Sequence, residues 1–539
     1  MDGSSGRSGP KATRRLNSSS ILHVGRVIPC ERRRFCVSPC LQRLLTVWAG
    51  CMTVNILPDD VLLHIFHFDQ AIYLHEFDSA RNRHPDMLFL RHSWDWRRLS
   101  DVCRRWQSVV FASPNFLNLR LICNLATRAA LPSMEFLRLY PPLPIILGNM
   151  VDFPLPDNQY FDPAIMHHNR VCEIHFFHLS SSQLQRLASA MQEQLPALTH
   201  LMLDVEPYYN PSPPALPDGF LGGSAPSLQS LKFHSIPFPA RPKLLLTAPN
   251  LVELTLIRIP HNGYFPPEAI AAGLAVSANL KSLTIQFESP LSRPDRARRR
   301  PPPPMRSALP ALTQFDFRGV SEYLEDLVTW IDAPSLVSIS VTFFNQLIFN
   351  IPQLTQFMRR TPKFGTINEA NVYFNPGDIS VRSSLSTQTS GEGFHLSILC
   401  EELDWQLSSL AQVLSGSSSF LPTYMVEHLR VFCWRRNSEP DWLDVEIEQW
   451  LEICHLFIAV KNLHISKRFM ENVGSTLLQE PVGEILTDSL PALESLFLEE
   501  HQRSGPVQEA IEKFVAARAH SGRPITVSQW DRGENRWYD

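Results

Sequence analysis

A short apolar pattern returns along most of this chain. Leu195-Pro-Ala-Leu-Thr-His-Leu-Met-Leu203 is echoed at Ala225–Phe233, Ala248–Leu256 and Ser277–Ile285, then at Leu309–Phe317, Ala333–Val341 and Leu490–Leu498. Val426–Phe432 and Val460–Ile465 are weaker copies. The anchors Leu198, Leu228, Leu251, Leu280, Leu312 and Leu336 are spaced by 30, 23, 29, 32 and 24 residues. The apolar positions that close each copy alternate, which predicts a short strand with residues i and i+2 on one face. The anchor, three positions earlier, turns into the same core from a bend that the preceding proline stiffens. No single unit can bury such a face alone, so neighbours must stack.

Between copies the period changes. In Ser182–Met191 it is helical, with Leu184, Leu187, Ala188 and Met191 on one face, and Tyr323–Ile331, Glu402–Leu414 and Val445–Ile458 read likewise. Near the end, Pro506 starts a helix striped by Val507, Ile511, Phe514 and Val515. Ser521-Gly-Arg-Pro524 stops it, and Ile525–Trp530 offers a last strand, as a capping unit requires. Ile174–Phe177 and Val341–Phe344 read as strand core, with outward members available to a binding face. The period and the Leu-x-x-Leu-x-apolar core resemble those of leucine-rich repeats.

The N-terminal part follows another pattern. Thr53–Leu121 reads as helices: Leu62, Ile65 and Phe66 form one stripe, and Val102, Trp106, Val109 and Val110 another. Gln70–Ser93 between them has no clear period and reads as a loop or a loosely packed insertion.

These two segments resemble the F-box family, whose pattern is a Leu-Pro start, an Ile-Phe end to the first helix, and Val-Cys-Arg-x-Trp in a later one. The matching residues are Leu57, Pro58, Leu62, Ile65 and Phe66, then Val102, Cys103, Arg104 and Trp106. Leu57 and Cys103 stand 46 positions apart, wider than the compact family pattern, because of the insertion. Expanded fungal F-box families are similar in carrying such an insertion and in the Ser113-Pro114 that follows. The resemblance implies that this module clasps a Skp-type adaptor through Leu57, Pro58, Leu62, Ile65, Phe66, Val102, Cys103 and Trp106, and through it a cullin. A helical unit of about fifty residues buries little surface alone, so a partner that completes its core makes physical sense. The alternative is an ordinary helical cap whose core is Leu57, Phe66 and Trp106.

The organisation expected is therefore a basic leader (1–51), a helical module (52–125) with an insertion at 70–93, and a connector (126–170). A repeat solenoid (171–530) follows, with loops near 290–306 and 377–393, then a tail (531–539). The fold class is α/β: an all-helical N-terminal module, then a solenoid with a parallel sheet on its concave face.

Bulk properties narrow the function. Net charge is −4 and pI near 6.6, too balanced to imply nucleic acid or an anionic membrane as partner. No apolar run reaches the roughly 18 residues needed to cross a bilayer. The leader holds nine Lys/Arg against Asp2 and Glu31. It reads as a disordered basic segment, or as sequence upstream of a true start at Met52, the other reading being a mitochondrial transit peptide. Cys103, Cys123, Cys172, Cys433 and Cys454 sit in apolar runs and read as reduced, buried thiols of a cytoplasmic or nuclear protein. Cys30, Cys36 and Cys40 match no common zinc spacing, and His84, His92, His167 and His168 read as loop residues. Arg293–Pro304 reads as a solvated excursion between repeats, with a polyproline ligand or a nuclear-import signal as its alternatives. Phosphate-loop, His-Glu-x-x-His, Gly-x-Ser-x-Gly and Gly-x-Gly-x-x-Gly motifs are absent from the sequence. The expectation is a non-enzyme without cofactor or metal: a substrate-recruiting subunit of a cullin-type ubiquitin ligase whose repeats hold a client protein. The alternative is an interaction scaffold without a ubiquitin role.

Overall fold

The repeated bend is a hydrogen-bonded turn. In each copy the anchor N–H donates to the carbonyl three residues back: Leu198 to Leu195 at 3.0 Å, Leu228 to Ala225 at 3.2 Å, Leu336 to Ala333 at 3.3 Å. The next N–H then crosses to the neighbouring unit, as Thr199 does to Cys172 O (2.8 Å) and Val252 to Gln229 O (2.8 Å). This bend satisfies backbone groups that would otherwise be buried without partners. It also drives each anchor into the core: Leu198, Leu228, Leu251, Leu280, Leu312 and Leu336 are all 0% exposed.

A computed structural model describes residues 57–81, 96–124, 143–149, 167–206, 213–239, 243–295, 305–384, 393–400, 403–415, 423–433, 453–470, 490–499 and 506–530. The leader with Cys30, Cys36 and Cys40, His84 and His92, most of Val445–Ile458 and of Arg293–Pro304, and the tail lie outside the described residues. The chain divides into two compact units, Met1–Ile65 and Phe66–Asp539.

In the first unit, Leu57 and Pro58 precede a helix that starts at Asp59. Two acids in its first turn, Asp59 and Asp60, face the positive end of the helix dipole. That helix continues to Arg81. Gln70–Arg81 is thus helical, and the expected loop over 70–93 is corrected for its first half. Without an apolar period the sequence concealed this, although Ala, Leu, Glu and Gln in that segment are good helix formers.

In the second unit, helices Arg97–Ser100 and Arg104–Ala112 lead into the sheet. Its first strands are β1 (Leu121–Asn124), β2 (Ile145–Gly148), β3 (Val171–Leu179) and β4 (His200–Val205). Next come β5 (Ser230–His234), β6 (Glu253–Ile259), β7 (Ser282–Phe287), β8 (Ser307–Ala308), β9 (Gln314–Gly319), β10 (Ile331–Asp332) and β11 (Ser338–Phe344). The remainder are β12 (Glu369–Asn375), β13 (Asp378–Ser384), β14 (Gly393–Leu399), β15 (His428–Cys433), β16 (Asn462–Ile465), β17 (Ser495–Glu499) and β18 (Thr526–Trp530). Sixteen of these make one sheet, ordered β1-β2-β3-β4-β5-β6-β7-β9-β11-β14-β13-β12-β15-β16-β17-β18, while β8 and β10 pair separately. All nine copies of the repeated pattern supply a strand.

Three expectations are revised here. The sheet begins at β1 and β2, so parallel pairing starts before residue 171, inside the expected helical module and connector. All four residues of β2 are buried, which left no alternation to read. Gly377–Gly393 is not a loop throughout: Asp378–Ser384 is a strand running antiparallel to both neighbours. Its inward positions Ile379, Val381 and Ser383 are buried, but Asp, Ser and Arg between them masked the period. The sheet is therefore mostly, not wholly, parallel. Cys103 is exposed, whereas Cys123, Cys172, Cys433 and Cys454 are buried thiols, as is Cys400. Burial pushes the Cys172 thiol up to about 12, so it stays protonated and inert.

Helices cover one side. Ser181–Ala190 is held by a capping box between Ser180 and Gln183, and Ser321–Trp330 and Leu403–Ser415 form where the period predicted. Caps also pass between neighbouring units. Buried Glu325 accepts from Gln353 N (2.9 Å) and Leu354 N (2.8 Å), satisfying the start of the helix Pro352–Arg359. Glu325→Ala removes both acceptors from a buried helix end and is expected to cost about 2 kcal/mol. Urea denaturation read through hydrogen exchange of Pro352–Arg359 checks this, and unchanged protection would contradict it.

Candidate interaction surfaces

Alternation decides which side chains a stacked sheet offers to a partner. In β12 the pattern Ala370, Val372, Phe374 is buried, which turns Asn371 and Tyr373 to the other face. The register aligns that second set across strands: Ser340, His395, Arg382, Asn371, Arg430, His464 and Phe497 are consecutive partners from β11 to β17. Beside them run Tyr373 and Phe432, themselves partners.

This row is an aromatic and cationic strip. Tyr373 and Phe432 stack at 4.9 Å and 11°, and Phe432 meets Trp530 edge-on at 6.1 Å. His464 stacks on Phe497 at 4.3 Å and abuts Trp530 at 5.1 Å. The Arg382 guanidinium lies 5.3 Å above the Tyr373 ring, and Arg318 lies 5.5 Å from that of Phe344, which binds the open face together by cation–π attraction. Arg430 is ion-paired with Glu369. Burial, with the Arg382 charge beside it, lowers His395 to about 4. Burial, then Arg430 and His428, lowers His464 to about 4. Both imidazoles are neutral at pH 7, and His395 Nε2, His464 Nδ1 and Asn371 Oδ1 are buried atoms without a hydrogen-bond partner. The sequence pointed toward this face only through Phe344; Tyr373, Phe432, Phe497 and Trp530 were missed. Their signal was an aromatic at the polar position of a strand.

The residues matching the N-terminal motifs fall in different environments. In the first unit Leu57 and Ile65 are half-buried, Pro58 is exposed and Leu62 is 1% exposed. The Leu62 N–H donates to Pro58 O at 3.1 Å. Val61, not singled out by sequence, is 38% exposed. In the second unit Phe66 and Trp106 are buried and meet at 4.8 Å. Trp96 anchors the same region, its indole N–H donating to Arg120 O at 2.9 Å. Val102 does not continue the stripe of Trp106, Val109 and Val110. The helix starts only at Arg104, with Cys103 extended as its N-cap, and Val102 is left 57% exposed in the turn before it. Phe68 (58%) and Phe116 (43%) are exposed as well.

A third feature is a cavity of about 900 Å³ lined in part by Glu322, Gln346, Leu347, Ile348 and Trp405. Gln346 caps Ser321 N (2.8 Å) and donates to Glu322 (2.7 Å), which fixes its wall. Among the described residues no three His, Cys, Asp or Glu side chains gather as a metal-binding set. No helix among them is long and apolar enough to cross a membrane.

No family model matches the chain, and no curated protein matches it. Among solved structures it is similar to the leucine-rich repeat-containing protein LegL7 from Legionella pneumophila. The two are 12% identical, with a TM-score of 0.25, over 74% of this chain and 97% of that one. The mixed α/β architecture, with its large and mostly parallel sheet of stacked units, is consistent with a leucine-rich-repeat-like fold.

Proposed function

We propose that this protein recruits a client protein to a cullin-type ubiquitin ligase. The N-terminal helical module holds a Skp-type adaptor, and the repeats hold the client. It performs no chemistry itself; it brings a client lysine near a charged ubiquitin carrier, a proximity effect. The compartment that suits this role is the cytoplasm, the nucleus or both. One observation supports the adaptor half of the reading: Pro58 and Val102 of the two motifs are exposed, as is Val61 between Pro58 and Leu62. Exposed apolar groups on a small helical module favour a protein partner.

The test is co-purification of the full chain with adaptor and cullin. Wild type is expected to capture both, and Leu57→Ala/Pro58→Ala to lower capture about tenfold while the repeats stay folded. Absence of adaptor from the wild-type preparation would overturn the ligase role. It would favour a second reading, an interaction scaffold whose N-terminal helices merely cap the repeats. The burial of Phe66 and Trp106, both within the second unit, is the observation on that side.

A further inference from the structure

From the cavity of about 900 Å³ we infer a binding site for a neutral pyranose sugar, with the Trp405 indole covering one face of the ring and Ser321, Asn345, Asn350 and Gln353 taking its hydroxyls. This goes beyond recruitment. The cavity lies among the loops that follow β7, β9, β11 and β14, outside the open sheet face, and its use requires neither adaptor nor client.

The reversed excursion of the sheet creates the site. Because β14 pairs with β11, the helix Leu403–Ser415 that follows β14 meets the loop Asn345–Asn350 that follows β11. The Phe349 N–H donates to Gln412 Oε1 on that helix at 3.4 Å. Across the cavity, Gln346 accepts from Ser321 N and donates to Glu322, so the walls are set before a ligand arrives. The volume falls within the range of about 300–1,000 Å³ of pockets that hold small organic ligands.

Charge argues for a neutral occupant. Glu322, Glu325 and Arg293 line the cavity, and all three are engaged. Glu325 caps the helix Pro352–Arg359, Glu322 accepts from Gln346, and Arg293 Nε donates to Pro290 O at 3.0 Å. An anion would face the two carboxylates. A cation would face carboxylates already occupied and the positive ends of the helices that begin at Ser321 and Pro352. What remains uncommitted is neutral and polar. The Ser321 hydroxyl is buried without a hydrogen-bond partner, a cost that a ligand hydroxyl would offset. The carboxamides of Asn345, Asn350 and Gln353 and the Trp405 indole N–H make no hydrogen bond among the described residues. Hydroxyl and carboxamide groups each both donate and accept, as sugar hydroxyls do. Trp405 is exposed at 42% and adds an apolar ring with a polar edge, beside Leu347 and Ile348. A peptide strings one donor and one acceptor per residue along its length. A pyranose gathers hydroxyls around one compact ring and leaves a C–H face for the indole, which suits a cluster of this kind.

The experiment screens the full-length protein on an array of neutral glycans and titrates the best binder as free oligosaccharide by calorimetry. Trp405→Ala is expected to lower its affinity about tenfold and Ser321→Ala about fivefold, while added salt leaves it unchanged. Since the Ser321 hydroxyl bonds to nothing in the free protein, Ser321→Ala is expected to keep the urea midpoint of wild type, which separates a binding role from a structural one. A glycopeptide carrying the same sugar, beside its bare peptide, identifies the source. Equal affinity of glycopeptide and free sugar supports a free saccharide as ligand, and tighter binding of the glycopeptide supports a sugar carried on a protein. Four results overturn the inference: no glycan bound, binding indifferent to both substitutions, binding weakened by salt, or bare peptide bound as tightly as glycopeptide.

Discussion

Replacing Tyr323 by alanine is expected to remove about 3–5 kcal/mol from the centre of the repeat array, while Tyr323→Phe leaves it unchanged or raises it by up to about 1 kcal/mol. Tyr323 is 0% exposed and sits among four rings: Phe287 at 4.7 Å, Phe317 at 5.9 Å, Tyr264 at 6.0 Å and Phe265 at 6.3 Å. Alanine vacates a ring-sized space that rigid aromatic neighbours cannot refill. The hydroxyl has no hydrogen-bond partner, so its desolvation is uncompensated, and removing it costs nothing in bonding. Burial accordingly pushes the phenol pKa well above its ordinary value. Because neighbouring units fold as a chain of coupled interfaces, the loss is best read locally. Hydrogen exchange in β7 and β9 is the measurement. A Phe variant weaker than wild type by more than about 1 kcal/mol would mean that the hydroxyl does have a partner.

The second large effect is at the C-terminal end. Arg518 is 0% exposed, and its guanidinium donates to Leu490 O (3.0 Å), Leu493 O (2.9 Å) and Arg523 O (3.2 Å). Leu490 and Leu493 bound the bend of the last repeated unit, and Arg523 lies in the turn after the helix Pro506–His520. One side chain thus ties the final helix to both the preceding bend and the turn that leads into the last strand. Arg518→Met keeps most of the volume but removes three donations to buried carbonyls, at an expected cost of about 3 kcal/mol. Limited proteolysis within the cap, Pro506–Trp530, should then accelerate by about two orders of magnitude, since access to the opened state follows the local free energy. Equal proteolysis of wild type and Arg518→Met would show that other contacts hold the cap.

Arg518 also shows where sequence reading stopped. The terminal helix was legible from Ile511 and Phe514, but an arginine that ends up inside looks, in a sequence, like any solvated helix residue. The same asymmetry runs through the fold. Anchors such as Leu198 and Leu280 repeat at a fixed distance from their strands, so the stacked parallel units could be read directly. Strand β13 could not, because its inward Ser383 and its intervening Ser380 and Arg382 dilute the apolar signal below recognition. The helix beyond Gln70 was hidden for the opposite reason: propensity held it together without a stripe. Of the candidate surfaces, the N-terminal motif positions were legible, yet their exposure was not. Val102 was assigned to a helix face and instead stands free of it. The open strip was nearly invisible, because outward positions of a strand carry no packing constraint and so no pattern. Only the register, which places Tyr373 beside Phe432 and Asn371 beside Arg430, reveals that they form a surface.

The reversed excursion through β12, β13 and β14 bears on how the molecule is born. During synthesis the strands up to β11 can assemble one after another as they emerge, each closing the edge left by its predecessor. At β11 that succession halts, because its partner is β14, whose first residue, Gly393, is paired with Ser338. Some fifty residues must leave the ribosome before that edge is sealed, and β12 in turn awaits β15. Over this interval a nascent chain presents an unpaired rim of Val341 and its neighbours to any other polypeptide. That makes the middle of the array, not its ends, the point at which chaperone attendance and misassembly compete.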